Sequence, residues 1–206
     1  MIIVPCEQHS EEWKSLKRGI PTASNFGKIF TATGKVSESR LKYMKQLAGE
    51  AISGRSEEDY QSYRMKQGTE LEAESRMVYA MNHEVEIKQV GFVYKNERRM
   101  TGCSPDGLVD PDGMFETKDA QFTVQIDRLF DNKMITEHIP QCQGALFVCE
   151  REWIDFQSYC SGLPVLCIRN YRDEKYISRL AEELEKFCYE LAEMIKRLKD
   201  IYLTQN

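Results

Sequence analysis

The sequence has no long apolar run, no closely spaced cysteine pair and no excess of basic charge, and each absence excludes a class of protein. Its 206 residues contain no stretch that approaches the ~20 apolar residues needed to span a bilayer. The start, MIIVPCEQHSEEW, lacks a basic region followed by a long apolar segment, so we expect no secretory signal. The net charge of −5 argues against a surface coated with basic residues for nucleic acid, but it leaves room for a local phosphate-binding patch.

The seven cysteines are scattered and include no CxxC pair. A disulfide framework is usually denser and even in number, so this pattern predicts reduced thiols and a cytoplasmic protein. The alternative is an iron–sulfur or zinc cluster, although the spacing of the candidate ligands differs from that of the common clusters. Those candidates are Cys142, Cys149, Cys160 and Cys167.

Basic charge is concentrated in one segment near the start. The segment between Glu11 and Ala48 contains eight basic residues and only three acidic ones. The segment is interpreted either as a solvated face or as a local phosphate-binding surface. The basic residues are Lys14, Lys17, Arg18, Lys28, Lys35, Arg40, Lys42 and Lys45.

The order of the predicted elements indicates the fold class. Helical patterns fill the first part of the chain, with Ser10 as the cap of the first helix and a break near Gly68. Strands are predicted for VEIKQVGFVYKN, for RMTGCSP and on both sides of the turn VDPDG. A helix from Ile126, a second helix at IPQCQGALFVCE and two further strands follow. We therefore expect an α/β or α+β fold with a central mixed sheet flanked by helices.

We expect a single domain, with a helical part at about 10–82, a sheet core at about 85–170 and a closing helix at about 173–203. The apolar residues of the closing helix recur at steps of three and four. This spacing fits either a coiled-coil seam or a helix laid across a core. They are Ile177, Leu180, Leu184, Phe187, Leu191, Met194, Leu198 and Ile201.

The hairpin around VDPDG carries the candidate chemistry. In the strand MFETKDA, side chains alternate, so Glu116 and Lys118 share one face. The hairpin would bring Asp106 close to Glu116, and a divalent cation would remove the repulsion between the two carboxylates. Oxygen ligands of this kind suit Mg²⁺ or Mn²⁺, the carbonyl of Thr117 would add another, and Lys118 would orient or deprotonate a water. The alternative is a plain hairpin with exposed turn residues.

Several segments resemble one nuclease family. SPDG followed by ETK matches the core pattern of the PD-(D/E)XK nuclease superfamily, which implies a restriction-endonuclease-like core. EEWKSLKRGIPTASNF, GTELEAESR, TGCSPDGL and IPQCQGALFV, in this order, resemble segments of the viral-type (YqaJ-like) recombination exonucleases related to phage lambda exonuclease. The resemblance extends from about Trp13 to Val148, roughly two-thirds of the chain.

The resemblance implies a role for each matching residue. Asp106, Glu116, Glu72 and the Thr117 carbonyl would hold the metal, and Lys118 would be the catalytic lysine. Gln141 would lie near the nucleophile or the terminal phosphate. Without the resemblance, Glu72 is interpreted as half of an i,i+4 pair with Arg76, and Gln141 as a helix-surface amide.

The resemblance also implies a pocket for the 5′-phosphate of DNA. Ser24 and Ser104 match its hydroxyl groups. The family has an arginine where this sequence has Lys17, with Arg18 next to it, so the preference for a 5′-phosphate depends on which of these two cations takes that place. Asp119, directly after Lys118, is a second departure that adds negative charge near the site.

The resemblance further implies a Mg²⁺-dependent 5′→3′ exonuclease, with Mn²⁺ able to substitute, that acts on linear double-stranded DNA and leaves 3′ single-stranded overhangs for recombination. It implies a homotrimeric ring around DNA, a single-strand annealing protein as partner, and a phage or prophage origin with action in the bacterial cytoplasm. Two alternatives remain open: a structure-selective endonuclease of the same fold, and a catalytically silent module that binds DNA ends.

Overall fold

The computed structural model describes residues 1–56 and 63–205. Its α-helices are α1 (Glu11–Lys17), α2 (Arg40–Ser53), α3 (Tyr63–His83), α4 (Phe122–Asp131), α5 (Ile139–Cys149) and α6 (Glu174–Gln205), with short 3₁₀ helices at Ala23–Lys28 and Thr136–His138. Its strands are β1 (Ile2–Val4), β2 (Ile87–Lys88), β3 (Phe92–Tyr94), β4 (Gly102–Cys103), β5 (Gly107–Val109), β6 (Gly113–Asp119), β7 (Trp153–Tyr159) and β8 (Leu166–Tyr171).

The central sheet of the described chain has the strand order β2–β5–β6–β7–β8. Only the β6–β7 pairing is parallel in this sheet; β2–β5, β5–β6 and β7–β8 are antiparallel. A second, antiparallel sheet has the order β1–β3–β4. The prediction of a mixed sheet flanked by helices is confirmed.

Helix α6 lies across the core. Its residues Ile177, Leu180, Leu184, Phe187 and Leu191 are buried and belong to the main apolar cluster. The interpretation of its apolar stripe as a helix laid across a core is therefore the correct one for these positions. Within residues 1–56 and 63–205, no helix combines the length and the apolarity needed to cross a membrane.

Two local predictions, the break near Gly68 and the start of α4, were wrong. Helix α3 continues through Gly68, because the ~1 kcal/mol cost of one glycine is small against the tertiary contacts of a long helix. The segment VEIKQVGFVYKN contains strand structure, as predicted, and divides into β2 and β3, which belong to different sheets. It divides next to Gly91, where the backbone of Cys6 approaches so closely that a Cβ would lie 2.3 Å from its carbonyl oxygen. Helix α4 begins at Phe122 rather than Ile126.

Helix α3 is attached to the sheet by a buried polar contact. The Tyr79 hydroxyl donates to Asp155 Oδ2 at 2.6 Å, and Arg169 donates to both oxygens of the same carboxylate at 2.8 Å. Tyr79 and Asp155 are buried. The contact fixes the part of α3 that carries Glu72 and Arg76, because these residues lie one to two turns away along the same helix.

We expect Tyr79→Phe to lower the free energy of unfolding by about 1–2 kcal/mol. The buried Asp155 carboxylate loses one hydrogen-bond donor but keeps Arg169. The loss of stability therefore lies in the lower part of the range for a buried acceptor that loses a hydrogen-bond donor. Urea denaturation measures the change, with Tyr189→Phe as the control because Tyr189 is exposed on α6. An unchanged transition midpoint for Tyr79→Phe would show that this contact does not stabilise the fold.

Candidate functional site

The β5–β6 hairpin brings Asp106 next to Glu116. Strands β5 and β6 pair Val109 with Gly113 and Gly107 with Phe115, around a turn that begins at Asp110. Beyond the last pair, Asp106 is one residue past Gly107 and Thr117 is two residues past Phe115, and the backbone N–H of Thr117 donates to Asp106 Oδ2 at 2.7 Å. The turn chemistry of VDPDG therefore sets the separation of the two carboxylates, as the sequence predicts.

Glu116 lies at the centre of a charged contact between β6 and α5. Its side chain is 2% exposed. Lys118 Nζ donates to its Oε1 at 2.5 Å, and Gln141 Nε2, from the first turn of α5, donates to the same oxygen. Glu116, Lys118 and Gln141 are therefore brought together in one contact.

Glu72 and Arg76 extend the site from helix α3. Arg76 donates to Glu72 Oε1 at 2.5 Å, and its Nε donates to the backbone carbonyl of Asp106 at 3.1 Å. The i,i+4 pair that the sequence allows is thus formed, and it lies beside the hairpin carboxylates. Sequence reasoning treated Arg76 only as a partner of Glu72 and missed its contact with the Asp106 carbonyl.

A cavity of about 190 Å³ joins these groups to the basic N-terminal segment. The predicted site residues that line it are Lys17, Ser24, Glu72, Ser104, Asp106, Glu116, Lys118 and Gln141. Thr117 is not among the lining residues, although its N–H contacts Asp106. Arg18 does not line it either and instead lines a neighbouring cavity with Gln46 and Glu50.

Trp13 contacts two of the residues that line the cavity. Its indole N–H donates to Ser104 Oγ at 2.6 Å, and Lys17 Nζ lies 4.0 Å from the centre of its ring. Ser24 is exposed and its hydroxyl lies 3.3 Å from that of Thr22. Trp13 thus connects two of the residues that the resemblance assigns to the 5′-phosphate.

Residues before α1 form another wall of the cavity, which sequence reasoning missed. Gln8 and His9 line it, and Gln8 Nε2 donates to the carbonyls of Val90 and Pro105 at 2.9 and 3.0 Å. This segment is held in place because β1 pairs with β3. The apolar run IIV was the one available signal for β1, and three residues are too few to distinguish a strand from a loop.

Burial raises the pKa values of the three carboxyl groups, and the charge of Asp106 adds to the rise for Glu116 and Glu72. The pKa of Glu116 is raised to about 8, first by burial and then by the charge of Asp106, while Lys118 opposes the change. The pKa of Glu72 is raised to about 7 by burial and by Asp106, with Arg76 opposing. Burial also raises the pKa of Asp106, against the charge of Lys118 and the hydrogen bond from Thr117.

The environment of Lys118 explains its charge state. Burial alone would lower the pKa of its ammonium group, but Glu116 and Asp106 reverse this and raise the pKa above its ordinary value. Asp119 is exposed, so the added carboxylate that departs from the family pattern points to solvent. The ammonium of Lys118 therefore acts as a positively charged donor in this arrangement.

The donor set fits a hard divalent cation. In the part of the chain that the structure describes, no three His, Cys, Asp or Glu side chains are grouped closely enough to hold a metal by themselves. Glu116 and Glu72 each form an ion pair with a cation of the protein. Glu116 is buried, Glu72 and Asp106 are partly buried, and the charge of Asp106 raises the pKa of both glutamates. A divalent ion at these carboxylates would offset that repulsion, and oxygen donors suit such ions. The seven cysteines are all free thiols.

The arrangement can support hydrolysis of a phosphodiester. It combines carboxylates for a divalent ion, a lysine and a glutamine at the same carboxylate, and cationic and hydroxyl groups that line the same cavity. These are the groups needed to position a phosphate and a water and to offset developing negative charge.

Comparisons with known proteins agree with this chemistry. A family model described as the YqaJ-like viral recombinase domain matches residues 12–152. An alkaline exonuclease, LHK-Exo from Laribacter hongkongensis, is 29% identical in its crystal structure, with a TM-score of 0.85 over 96% of this chain and 100% of that chain. Its complex with dAMP is 30% identical with the same TM-score and coverage.

A more distant structure shares the fold. A phage related exonuclease from Haemophilus somnus 129PT is 14% identical, with a TM-score of 0.69 over 87% of this chain and 96% of that chain. No curated protein matches the chain.

Proposed function

Because the chain belongs to the family of YqaJ-like viral recombinase domains, we propose that it is a 5′→3′ exonuclease that degrades one strand of linear double-stranded DNA and leaves 3′ overhangs for recombination. Its place among exonuclease-type nucleases that act on DNA follows from the family and from the match to LHK-Exo. The observation that carries the finer proposal is the continuity of one cavity, from Glu116 and Lys118 to Lys17 and Ser104. A strand end bound at Lys17 and Ser104 would have its last phosphodiester linkage next to the carboxylates.

Asp106, Glu116, Glu72 and the carbonyl of Thr117 hold the divalent ion, for which Mg²⁺ is the expected choice and Mn²⁺ a substitute. When bound, this ion polarises the scissile phosphate and lowers the pKa of a bound water. Lys118 offsets negative charge at the reacting phosphate, since its ammonium already lies at Glu116. Gln141 donates from α5 at the same oxygen and positions the attacking water or the terminal phosphate.

Lys17, Ser24 and Ser104 bind the 5′-phosphate of the strand that is degraded. Trp13 is a positioning residue, because its indole N–H fixes the Ser104 hydroxyl and its ring supports the Lys17 ammonium. Arg18 takes no part in this pocket, since it lines the neighbouring cavity. The dAMP in the LHK-Exo complex is a deoxynucleoside monophosphate, the type of product that stepwise cleavage of DNA releases.

The family supports a proposal for the wider setting. The protein assembles as a homotrimeric ring around the DNA, works with a single-strand annealing protein, and acts in the cytoplasm of a bacterial host as a phage- or prophage-encoded nuclease. A ring would keep the enzyme on one DNA end, and the annealing protein would bind the 3′ overhang that it produces.

Three DNA substrates test the proposal: a linear duplex with labelled 5′-phosphate ends, the same duplex with 5′-hydroxyl ends, and a closed circle, each with Mg²⁺ and with EDTA. The expected result is Mg²⁺-dependent release of the 5′ label as mononucleotides, with the circle intact. Cutting of the circle would instead identify a structure-selective endonuclease. Binding of ends without cleavage in Mg²⁺ or Mn²⁺ would identify a silent end-binding module.

We expect Lys17→Met to reduce the preference for 5′-phosphate ends over 5′-hydroxyl ends by about 10–100-fold, the value of one charge-assisted hydrogen bond of about 1.5–3 kcal/mol. Lys17→Arg should keep or increase the preference, because a guanidinium binds phosphate in a bidentate fork. Lys14→Met on the same helix removes the same charge outside the site cavity and is the control. An unchanged ratio of rates for Lys17→Met would exclude Lys17 as the phosphate-reading residue.

A further inference from the structure

A second, larger cavity adjoins the site cavity. It has a volume of about 730 Å³ and shares three lining residues, Gln8, His9 and Glu72, with the site cavity. Glu116, Lys118 and the residues assigned to the 5′-phosphate line the smaller cavity and not the larger one. The two cavities therefore meet beside Glu72 and the segment before α1, and the larger one has no part in the chemistry described above.

The sizes of the two cavities bear on what each can hold. Cavities that bind small organic molecules have volumes of about 300–1,000 Å³. The site cavity, at about 190 Å³, is smaller than this range, whereas the larger cavity lies within it. A nucleotide whose phosphate groups lie in the site cavity therefore needs space outside it for its base, and the larger cavity provides that space.

The lining of the larger cavity suits an uncharged ring better than a phosphate. Its charged residues are two carboxylates and two cations, so the lining, as far as the structure describes it, has no excess of positive charge for phosphate binding. Apolar residues form part of its wall and would contact the faces or edges of a base. The charged residues are Glu7, Glu72, Arg76 and Lys88, and the apolar ones include Ile3, Pro5, Val90 and Gly91.

His9 lies where the two cavities meet. Its side chain is exposed, and its backbone has a φ of 68°, in the left-handed region. For a residue other than glycine this conformation costs free energy, and such residues concentrate at binding and catalytic sites. The strained backbone at His9 therefore points to a use of this side chain.

Trp13 holds the His9 ring beside the residues assigned to the 5′-phosphate. The centres of the two rings are 5.1 Å apart and the rings are tilted by 50°, a common arrangement for an aromatic pair. The same tryptophan donates to Ser104 Oγ, and its ring centre lies 4.0 Å from Lys17 Nζ. Because His9 is packed against Trp13 and is still exposed, its ring can take a second ring as a neighbour.

The imidazole of His9 is uncharged at neutral pH. Partial burial and the charge of Lys17 lower its pKa, against the charge of Asp106. The ordinary pKa of histidine is about 6.5, so a lowered value leaves the ring neutral at pH 7. A neutral ring can stack on a base but supplies no charge for binding a phosphate.

We propose that the base of the 5′-terminal nucleotide stacks on His9 and occupies the larger cavity. The proposed function fixes the two ends of this nucleotide, with its 5′-phosphate at Lys17 and Ser104 and its scissile linkage beside Glu116. His9 lines the same cavity as these groups and is packed on Trp13, which contacts the first two. The base would therefore leave the site cavity where His9 separates it from the larger one.

Stacking on one ring fits the removal of successive nucleotides. Every base has a π-face, so a single aromatic ring accepts all four bases. The terminal base also loses its stacking in the duplex when its strand enters the site, and stacking on His9 would replace that contact. This inference rests on the proposed function and names the group that binds the base of the nucleotide to be removed.

Single-turnover cleavage of a linear duplex with 5′-phosphate ends tests the role of the ring. His9→Ala should lower the rate about 10–100-fold, the effect of losing one base–aromatic stack, and His9→Phe should stay within about threefold of the wild type. His9→Gly removes the ring but accepts the left-handed backbone, so it should lose as much as His9→Ala. His83→Ala is the matched control, because it removes an exposed histidine that packs on Tyr79 and lines neither cavity. A His9→Phe variant as slow as His9→Ala, or a His9→Gly variant as fast as the wild type, would overturn the proposal.

A duplex whose first nucleotide lacks its base identifies the partner of the ring. The wild type should cleave this duplex about 10–100-fold more slowly than the intact one, whereas His9→Ala should cleave the two at rates within about threefold of each other. Removal of the base from the fourth nucleotide should leave the first cleavage by either protein unchanged. A missing first base that slows His9→Ala as much as the wild type would show that the two groups do not interact.

Binding of the same DNA ends, measured by fluorescence anisotropy in EDTA, needs no cleavage. The wild type should bind intact ends about tenfold more tightly than ends without the first base, and His9→Ala should bind both alike. This difference in binding without any cleavage in Mg²⁺ would refute the proposed function alone. Cleavage of the duplex without this difference would refute the proposal for His9 alone.

Discussion

Cleavage of linear duplex DNA is expected to fall at least about 10³-fold when Glu116 is replaced by Gln, because the loss of a charged metal ligand removes about 4 kcal/mol of transition-state stabilisation. Glutamine has the same length, so its carbonyl oxygen can still accept from Lys118 and Gln141. Only the negative charge is removed, and with it the group that would hold the divalent ion together with Asp106.

The same substitution should leave the fold as stable as the wild type or more stable. Glu116 is 2% exposed and lies beside Asp106, so the folded protein carries the cost of a buried charge near another carboxylate. A buried amide avoids this cost. A Glu116→Gln variant that is clearly less stable than the wild type would therefore contradict the interpretation of Glu116 as a functional rather than a structural residue.

Single-turnover cleavage of the labelled duplex and urea denaturation measure the two effects in parallel. Asp119→Asn is the matched control, because it removes a carboxylate from the same strand at an exposed position. Its cleavage rate should stay within about threefold of the wild type, as for an exposed charge that is largely screened by solvent. Equal losses in the two variants would show that net charge, and not the position of Glu116, determines the rate.

Replacement of Lys118 by Met is expected to lower the cleavage rate by about 10²–10⁴-fold while DNA binding changes little. The ammonium lies 2.5 Å from Glu116 Oε1, at one of the carboxylates that would hold the divalent ion. We therefore expect the charge of Lys118 to stabilise the transition state at the scissile phosphate and to contribute little to binding of the duplex.

The separation of these two effects is measured by fluorescence anisotropy for binding and by single-turnover rates for cleavage. Lys175→Met, which removes an exposed charge from α6, is the control for unspecific loss of positive charge. A Lys118→Met protein that loses binding and cleavage to the same degree would place Lys118 among the DNA-holding residues instead.

The part of the site that depends on local chain geometry was predictable from the sequence. An Asp-Gly turn between two alternating segments fixes a hairpin, and the hairpin places Asp106 opposite Glu116 with Lys118 on the same face. The N-cap of α1 was equally local, because Ser10 accepts from the N–H of Trp13 as its position predicts.

The rest of the site depends on how distant elements pack. Consecutive residues of a helix point about 100° apart, so the sequence could not decide between Lys17 and Arg18, and only the docking of α1 brings Lys17 to the cavity. Gln141 reaches Glu116 because α5 packs beside the sheet. The contact of Trp13 with Ser104 joins residues 91 positions apart, and no local pattern marks either of them.

Neighbouring residues of strand β6 lie in different environments. Its odd-numbered residue Phe115 lies in an apolar cluster with Tyr79 and Val109, whereas Glu116 faces the cavity. One residue inserted into the turn that begins at Asp110 would shift the register by one and exchange these environments, which would move the carboxylate into the apolar cluster. An insertion of two residues would restore them. The length of the turn is therefore expected to vary among relatives in steps of two, while position 110 is expected to keep a residue that tolerates its φ of 47°.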